Sequence, residues 1–435
     1  MNRIGRRGFL AAGMLGAAGL GDLLRARGTG GPDTACIFVW LGGGPSQLET
    51  YDMKPDAPAD FRGEFRPIKT AVPGIEICEH LPRQAMVADR FSLIRSCAHS
   101  SDGHENGTQH FLTGKKPARP NDKESEHPDP GAVFKKLHPA ARRPVPGYVS
   151  LNCGGFEYGG PGYLGNTCKP FAVRHDTNHP RFAVHSLSVA GERGRFDDRL
   201  ALRRSFETAR REAEPVMDVM DDHGREAARI LTGPDAERAF QLWREPGRVR
   251  EKYGRTRCGQ DFLLARRLVE HGVGFVTVDF RAVEGALAHT WDDHATGWNI
   301  FEQMKLRLPV FDRALAALIE DLHARGLDKR VLLVVTGEFG RTPRIAISEG
   351  RPGRDHYSGA MSILVSGGGM EMGLVVGSTT SKGEGPKDRP LTPSDFLATV
   401  YGFLGIDPGR MMAGPGGRPL PLLDGGVPIK ELMGT

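Results

Sequence analysis

Five short apolar runs, each breaking into glycine or a polar cluster, constrain this 435-residue chain more than any other feature. Residues 34–41 read TACIFVWL and break into GGGPS at 42–46; similar runs lie at 91–94, 273–280 (VGFVTVDF), 330–336 (RVLLVVT) and 361–365. Runs of this length, rich in β-branched and aromatic residues and bounded by turn formers, read as buried strands. Between and after them, 301–325 and 393–404 read as helices. Strands alternating with helices predict an α/β fold, a doubly wound and mainly parallel sheet sandwiched by helices, because parallel neighbours need helical crossovers that cover both faces. The length suits one such domain over residues 31–435. Residues 115–190, dense in Gly, Pro, Asn and His, are expected to form an irregular cap or insertion. From 195 to 271 Arg, Glu, Ala and Leu follow helical spacing, broken at Pro215, Gly233-Pro234 and Pro246-Gly247, and their charges read as a solvated face.

The charge balance excludes one class of partner. The formal net charge is +5, but residues 1–30 hold five arginines and one acid, so the remaining body carries 53 basic against 52 acidic residues. A near-neutral body lacks the clustered cations that nucleic acid requires, so no nucleic-acid partner is expected. The 58 Gly and 31 Pro make up about a fifth of the chain, against a usual share of roughly 12%. Without a short repeat they indicate a loop-rich enzyme rather than a collagen.

The excess of positive charge lies in an address. Residues 1–24 place Arg3, Arg6 and Arg7 before a mildly apolar stretch, a signal-peptide layout too short and glycine-rich for a stable membrane span. Arg6-Arg7-Gly8-Phe9-Leu10 resembles the twin-arginine export signal, so the expected location is periplasmic or secreted, with the twin-arginine machinery as partner. The six cysteines form no C-x-x-C pair; Cys153 and Cys168 flank a glycine-rich loop and could be bridged in an oxidising compartment.

Ligands in open α/β sheets bind beyond the carboxyl ends of the strands, and there the polar residues cluster. After 91–94 comes HSSDGHEN, with His99, His104 and then His110; after 273–280 comes HTWDDH, with Asp292 and His294. After 330–336 come Glu338 and Arg341 in GEFGRTP, and then Arg354-Asp355-His356. Imidazoles and carboxylates gathered at strand ends suit a divalent metal. Simpler readings stand beside this one: Asp292-Asp293-His294 as a polar loop capping the next helix, and Glu338 with Arg341 as an ion pair. The loop after 34–41 lacks both the dinucleotide fingerprint and the P-loop lysine.

The twin-arginine leader, GGGPSQLETYDMKP, WDDH, GEFGRTP, GRDHYSGA and KDRPLTPSDFLATVYGFLGIDP occur in this order. Together they resemble the exported bacterial family catalogued as domain of unknown function 1501, whose members are called sulfatase-like and are similar to the alkaline phosphatase superfamily. The resemblance implies metals at the ends of the strands of an α/β sandwich. Aligned on Thr113-Gly114, His104 stands where sulfatases carry the cysteine that becomes formylglycine, so that chemistry is not supported. The resemblance also implies a metal site of Asp292, His294 and His356, while Phe339 stands where a second site would need a histidine.

The expected function is a metal-dependent hydrolase of phosphate or sulfate esters, small or polymeric, using metal-activated water. Asp292, His294 and His356 would hold one divalent ion, with Zn²⁺ expected and Ca²⁺ or Mn²⁺ as alternatives, and Glu338 would be a further ligand or general base. His104 would protonate the leaving group or bind the ester, and Arg341 and Arg354 would clamp the anion. A second reading, a non-catalytic relative that binds a glycan or a partner protein, rests on the missing nucleophile and on Phe339.

Overall fold

The computed structural model describes residues 33–138, 145–152, 156–184, 234–281 and 283–434. The expected leader, Cys153, Pro215 and Gly233 lie outside these residues. The main strands in chain order are β1 (Ala35–Trp40), β2 (Ser92–Cys97), β3 (Tyr148–Leu151), β4 (Phe171–Val173), β5 (Phe275–Asp279) and β6 (Val331–Thr336). A short pair follows, β7 (Gly340–Arg341) with β8 (His356–Tyr357), and then β9 (Met361–Gly367) and β10 (Val375–Val376). The eight-stranded sheet runs β10-β2-β9-β6-β1-β5-β3-β4. β1 is parallel to β5 and β6, β3 to β4 and β5, and β10 to β2; β9 is antiparallel to both its neighbours.

Alternation along the strands divides the core into two layers. Along β1, Ala35, Ile37 and Val39 enter one apolar cluster and Cys36, Phe38 and Trp40 the other, all at most 2% exposed. β6 repeats the division, with Val331, Leu333 and Val335 on the first face and Leu332 and Val334 on the second. Successive side chains of a strand point to opposite faces, so a strand apolar at every position demands cover on both. Helices α3 (Arg257–Glu270) and α4 (Ile300–Ala324) cover the first face. The other face is covered by α1 (His104–Thr113), α2 (Pro130–Leu137) and α5 (Pro393–Phe403). Burial of each Val, Leu, Ile or Phe in these layers contributes about 1.5–3 kcal/mol.

Local signals set the helix boundaries. The Asn299 side chain accepts from the amides of Phe301 and Glu302 and starts α4, so the capping role considered for Asp292-Asp293 belongs to Asn299. Thr392 and Asp395 form a reciprocal capping box at the start of α5, with Pro393 at the first helical position. Residues 115–190 depart from expectation. The described part of this region supplies α2 and two strands, β3 and β4, which extend the main sheet in parallel beyond β5. Strands of four and three residues are too short to raise a periodic signal among so many glycines and prolines.

Candidate functional site

The carboxyl ends of β1, β2, β5 and β6 bring one imidazole–carboxylate cluster together. The turn after β1 begins the assembly. Gly43 has φ +106°, a conformation that disfavours side chains, and a Cβ there would lie 2.6 Å from the Asp292 amide nitrogen. Trp291 donates its amide to the Gly42 carbonyl at 2.9 Å. The Asp293 carboxylate, 1% exposed, pairs with Arg307 of α4 at 2.7 Å, and its carbonyl accepts from the Arg354 amide. The WDDH loop is therefore held from three sides, and Asp292 projects into a cleft from a rigid support.

Three imidazoles converge on the Asp292 carboxylate. His294 Nε2 lies 2.9 Å and His356 Nε2 3.0 Å from Oδ1, and these two nitrogens are 3.0 Å apart. His104 Nε2 lies 3.3 Å from Oδ2. Suitable ligand atoms of His104, Asp292 and His356 fall within 4.8 Å of one another. All four side chains are 22–30% exposed, so the cluster opens to solvent.

The other nitrogen of each ring is held by an acceptor. His356 Nδ1 faces the Asp102 carbonyl at 2.7 Å, His294 Nδ1 the Asp355 carboxylate at 2.9 Å, and His104 Nδ1 the Glu338 carboxylate at 2.8 Å. A carbonyl or carboxylate can only accept, so each Nδ1 carries a hydrogen and Nε2 is the nitrogen that each ring turns toward Asp292. Three imidazole nitrogens beside one carboxylate are compatible either with protons on those nitrogens or with a cation among them. A ligating histidine typically donates its other N–H to a carboxylate or carbonyl in this way, and the donor set fits a divalent metal.

The local electrostatics report the same demand for positive charge. Burial alone would raise Asp292, but bonds to His104, His294 and His356 and the Arg341 charge hold it far below the usual carboxylate range. Burial lowers His104, yet its bonds to Asp292 and Glu338 outweigh that and push it up to about 9. His294 is raised, first by its bond to Asp292. Each shift favours the charged form of its group, positive rings around a negative carboxylate.

The remaining expected site residues fall into different places. Glu338, 2% exposed, stands behind His104: Oε1 faces its Nδ1 and accepts the Gly43 amide at 2.8 Å, and Oε2 has no partner among the described residues. Arg341 and Arg354 do not form the expected anion clamp, because both are fully buried. Arg341 donates to the Gly43, Gly44, Trp291 and Arg354 carbonyls and to Asp292 Oδ1 at 2.6 Å, so it positions Asp292. Arg354 lies 2.7 Å from Glu49 in a pair 0% and 1% exposed, and its other donors go to the Thr342, Pro343 and Phe61 carbonyls. A guanidinium with its donors engaged in the interior presents none to an ester.

Several residues hold roles that the sequence reading did not assign to them. Phe339 is the floor: its ring lies 4.6 Å from His356 and 5.5 Å from His104, and a Cβ on Gly44 or Gly107 would meet it at 2.5–2.7 Å. Asp355 and the Asp102 carbonyl orient two of the imidazoles, and the adjacency of Asp355 to His356 was the available signal. His99 contacts the Glu338 carbonyl at 2.7 Å, and burial pushes it down to about 4. His110 faces the Ser101 hydroxyl at 3.0 Å, apart from the cluster.

No curated protein matches the chain. Among solved structures, it is similar to a putative sulfatase from Bacteroides thetaiotaomicron, with 10% identity, a TM-score of 0.42, and 92% of this chain and 75% of that one covered. It is also similar to a phosphonate monoester hydrolase from Silicibacter pomeroyi, at 12% identity and a TM-score of 0.39, covering 92% and 77%. A lipoteichoic acid synthase from Listeria monocytogenes gives 10% identity, a TM-score of 0.36, and 87% and 73%. The model of the family described as "Protein of unknown function (DUF1501)" matches residues 33–433, and the chain belongs to that family.

Proposed function

We propose that the protein is an exported metal-dependent hydrolase of phosphate or sulfate esters, small or carried on a polysaccharide. One observation carries the reading: three imidazoles, each with Nδ1 tied to an acceptor, turn Nε2 toward a single carboxylate. Asp292, His294 and His356, whose atoms lie closest together, would hold the ion, with Zn²⁺ expected and Ca²⁺ or Mn²⁺ the alternatives. Such an ion lowers the pKa of bound water from about 15.7 toward 7 and draws negative charge toward itself.

The protein's own groups supply orientation and anion binding. Arg341 fixes Asp292 from below, and Asp355 and the Asp102 carbonyl set the His294 and His356 rings. The anion clamp passes from the buried arginines to the start of α1. Gly103 caps that helix without a side chain, and the amides of His104, Glu105 and Asn106 have no acceptor among the described residues. Free amides at a helix N-terminus favour anionic oxygens, and here they adjoin the cluster because His104 is the first helical residue. No helix among the described residues is long and apolar enough to cross a membrane, and the resemblance of Arg6-Arg7-Gly8-Phe9-Leu10 to a twin-arginine signal supports export.

The deciding experiment pairs metal analysis with turnover. Protein incubated with Zn²⁺, Mn²⁺ or Ca²⁺ is expected to retain about one ion and to cleave 4-nitrophenyl phosphate or sulfate. Asp292→Asn should lose both properties while keeping its circular dichroism spectrum. Wild-type protein that retains no ion under all three conditions would end the proposal.

A further inference from the structure

We infer that Tyr158 and Glu157, braced by Arg281, form a subsite for an uncharged sugar ring beside the imidazole–carboxylate cluster. Under the hydrolase reading, on which the inference rests, that ring is the alcohol part of the ester. Packing of the 156–160 loop puts the subsite there. Phe156 is buried edge-to-face against Phe38 at 5.0 Å and Trp40 at 5.4 Å, so the sheet anchors one side of the loop. On the other side a Cβ on Gly159 would lie 3.1 Å from Leu112 of α1, and the Gly160 carbonyl accepts the Asp129 amide at 2.8 Å. Tyr158 and Glu157 are therefore fixed between the sheet and the helix that begins with His104.

A chain of contacts ties the pair to the cluster. Glu157 Oε2 accepts from Arg281 Nη2, and Arg281 Nε donates to Asp279, the last residue of β5. Asp279 stands in register with Trp40 at the end of β1, and a Cβ on Gly42 would lie 3.7 Å from its Oδ1. The next residue, Gly43, donates to Glu338, which holds His104. The Tyr158 phenol lies close enough to Glu157, Glu105, Arg281 and Glu338 for the charge of each to act on it. Its hydroxyl end thus reaches the side of the cleft where α1 begins.

The chemistry of these groups selects the ligand. Tyr158 has φ +59°, a left-handed conformation that a bulky side chain rarely adopts; such residues persist where the surroundings over-determine them, and they gather at ligand clamps. The partly exposed ring offers an apolar face to the C–H side of a sugar, and the partly exposed Glu157 offers acceptors beside it. A carboxylate can only accept, so it needs the donors that sugar hydroxyls supply. Charge then excludes a second anionic group. Arg281 is shared by Asp279 and Glu157, and Glu105 has no cationic partner among the described residues. A uronate or a further sulfate on the ring would face these carboxylates, and like charges brought together are rejected.

The test reads binding and turnover separately on the full chain. Saturation-transfer NMR of the metal-free protein with the methyl glycosides of glucose, galactose and mannose should show transfer to the ring C–H protons of at least one, and far less to methyl glucuronide. Glycine takes φ +59° freely, so Tyr158→Gly removes the ring without strain and should abolish the transfer, while Tyr158→Phe should keep it. With Zn²⁺ added, the kcat/KM ratio of glucose 1-phosphate to methyl phosphate should fall roughly 5–10-fold in Tyr158→Gly, the weight of one aromatic contact. Glu157→Gln should narrow the preference for glucose 1-phosphate over glucuronic acid 1-phosphate. If neither tyrosine variant folds by circular dichroism, the wild-type preference for glycoside over glucuronide decides. No transfer to any of the three sugars, transfer that survives in Tyr158→Gly, or equal transfer to methyl glucuronide overturns the inference, and cleavage of methyl phosphate then leaves the hydrolase standing. Tyr158-dependent transfer without cleavage of any phosphate or sulfate ester does the reverse, ending the hydrolase reading and keeping the sugar site.

Discussion

Replacing Arg354 by methionine separates a buried scaffold pair from a substrate clamp. The guanidinium reaches Glu49 Oε1 at 2.7 Å and Oε2 at 2.9 Å, with both residues at most 1% exposed. Removing one partner of a buried pair costs about 3–5 kcal/mol, because the other charge stays desolvated. The Thr342, Pro343 and Phe61 carbonyls also lose a donor, at about 1 kcal/mol each, partly offset by the packing of the methionine. The expected loss is roughly 5 kcal/mol, a large share of the usual 5–15 kcal/mol. Urea unfolding monitored by circular dichroism measures it. The double variant Glu49→Met/Arg354→Met should recover much of the loss, since a pair replaced by apolar groups leaves no orphaned charge. A single variant that unfolds within about 1 kcal/mol of the parent, yet shows a many-fold higher KM for an ester, would refute this reasoning and return Arg354 to the substrate.

Asp355→Ala removes the acceptor that orients His294 and should weaken Zn²⁺ binding about 10–100-fold; competition with a chelating dye reads this, and unchanged affinity would deny Asp355 the role. Gly43→Ala forces a side chain into φ +106° against the Asp292 backbone, so both the thermal midpoint and Zn²⁺ affinity should fall, and a parent-like midpoint would show that the turn yields freely. Burial raises Asp129 and Asp261 to about 7 from an ordinary 3.8. The folded state then binds more protons than the unfolded one between those values, so this contribution to stability is complete below about pH 4, declines as pH rises toward about 7, and is flat above. Asp261→Asn should remove its share of that decline in urea unfolding at a series of pH values, and an unaltered slope would place the effect elsewhere.

The sheet was legible because burial on both faces writes itself into sequence as unbroken apolar runs. The runs at 34–41 and 330–336 became β1 and β6 almost residue for residue, and the helices at 301–325 and 393–404 followed. β3 and β4 were not legible, because strands of four and three residues among turn formers carry no period. Residue type and position at strand ends named the cluster's histidines and carboxylates, because only those side chains offer such donors.

What each charged group does was decided only in three dimensions. Arg341 and Arg354 look equally suited to an anion as letters, and burial turns one into a brace for Asp292 and the other into the partner of Glu49, 305 residues away. Glu338 could have been a ligand, a base or a brace, and its 2.8 Å contact with His104 sets it behind that ring. Composition determines which chemical groups a chain possesses, and local periodicity which segments become strands and helices. Which nitrogen of a ring faces the cluster depends on the acceptor that holds the other one. Those acceptors come from other loops, so only the folded chain selects among the roles that the sequence allowed.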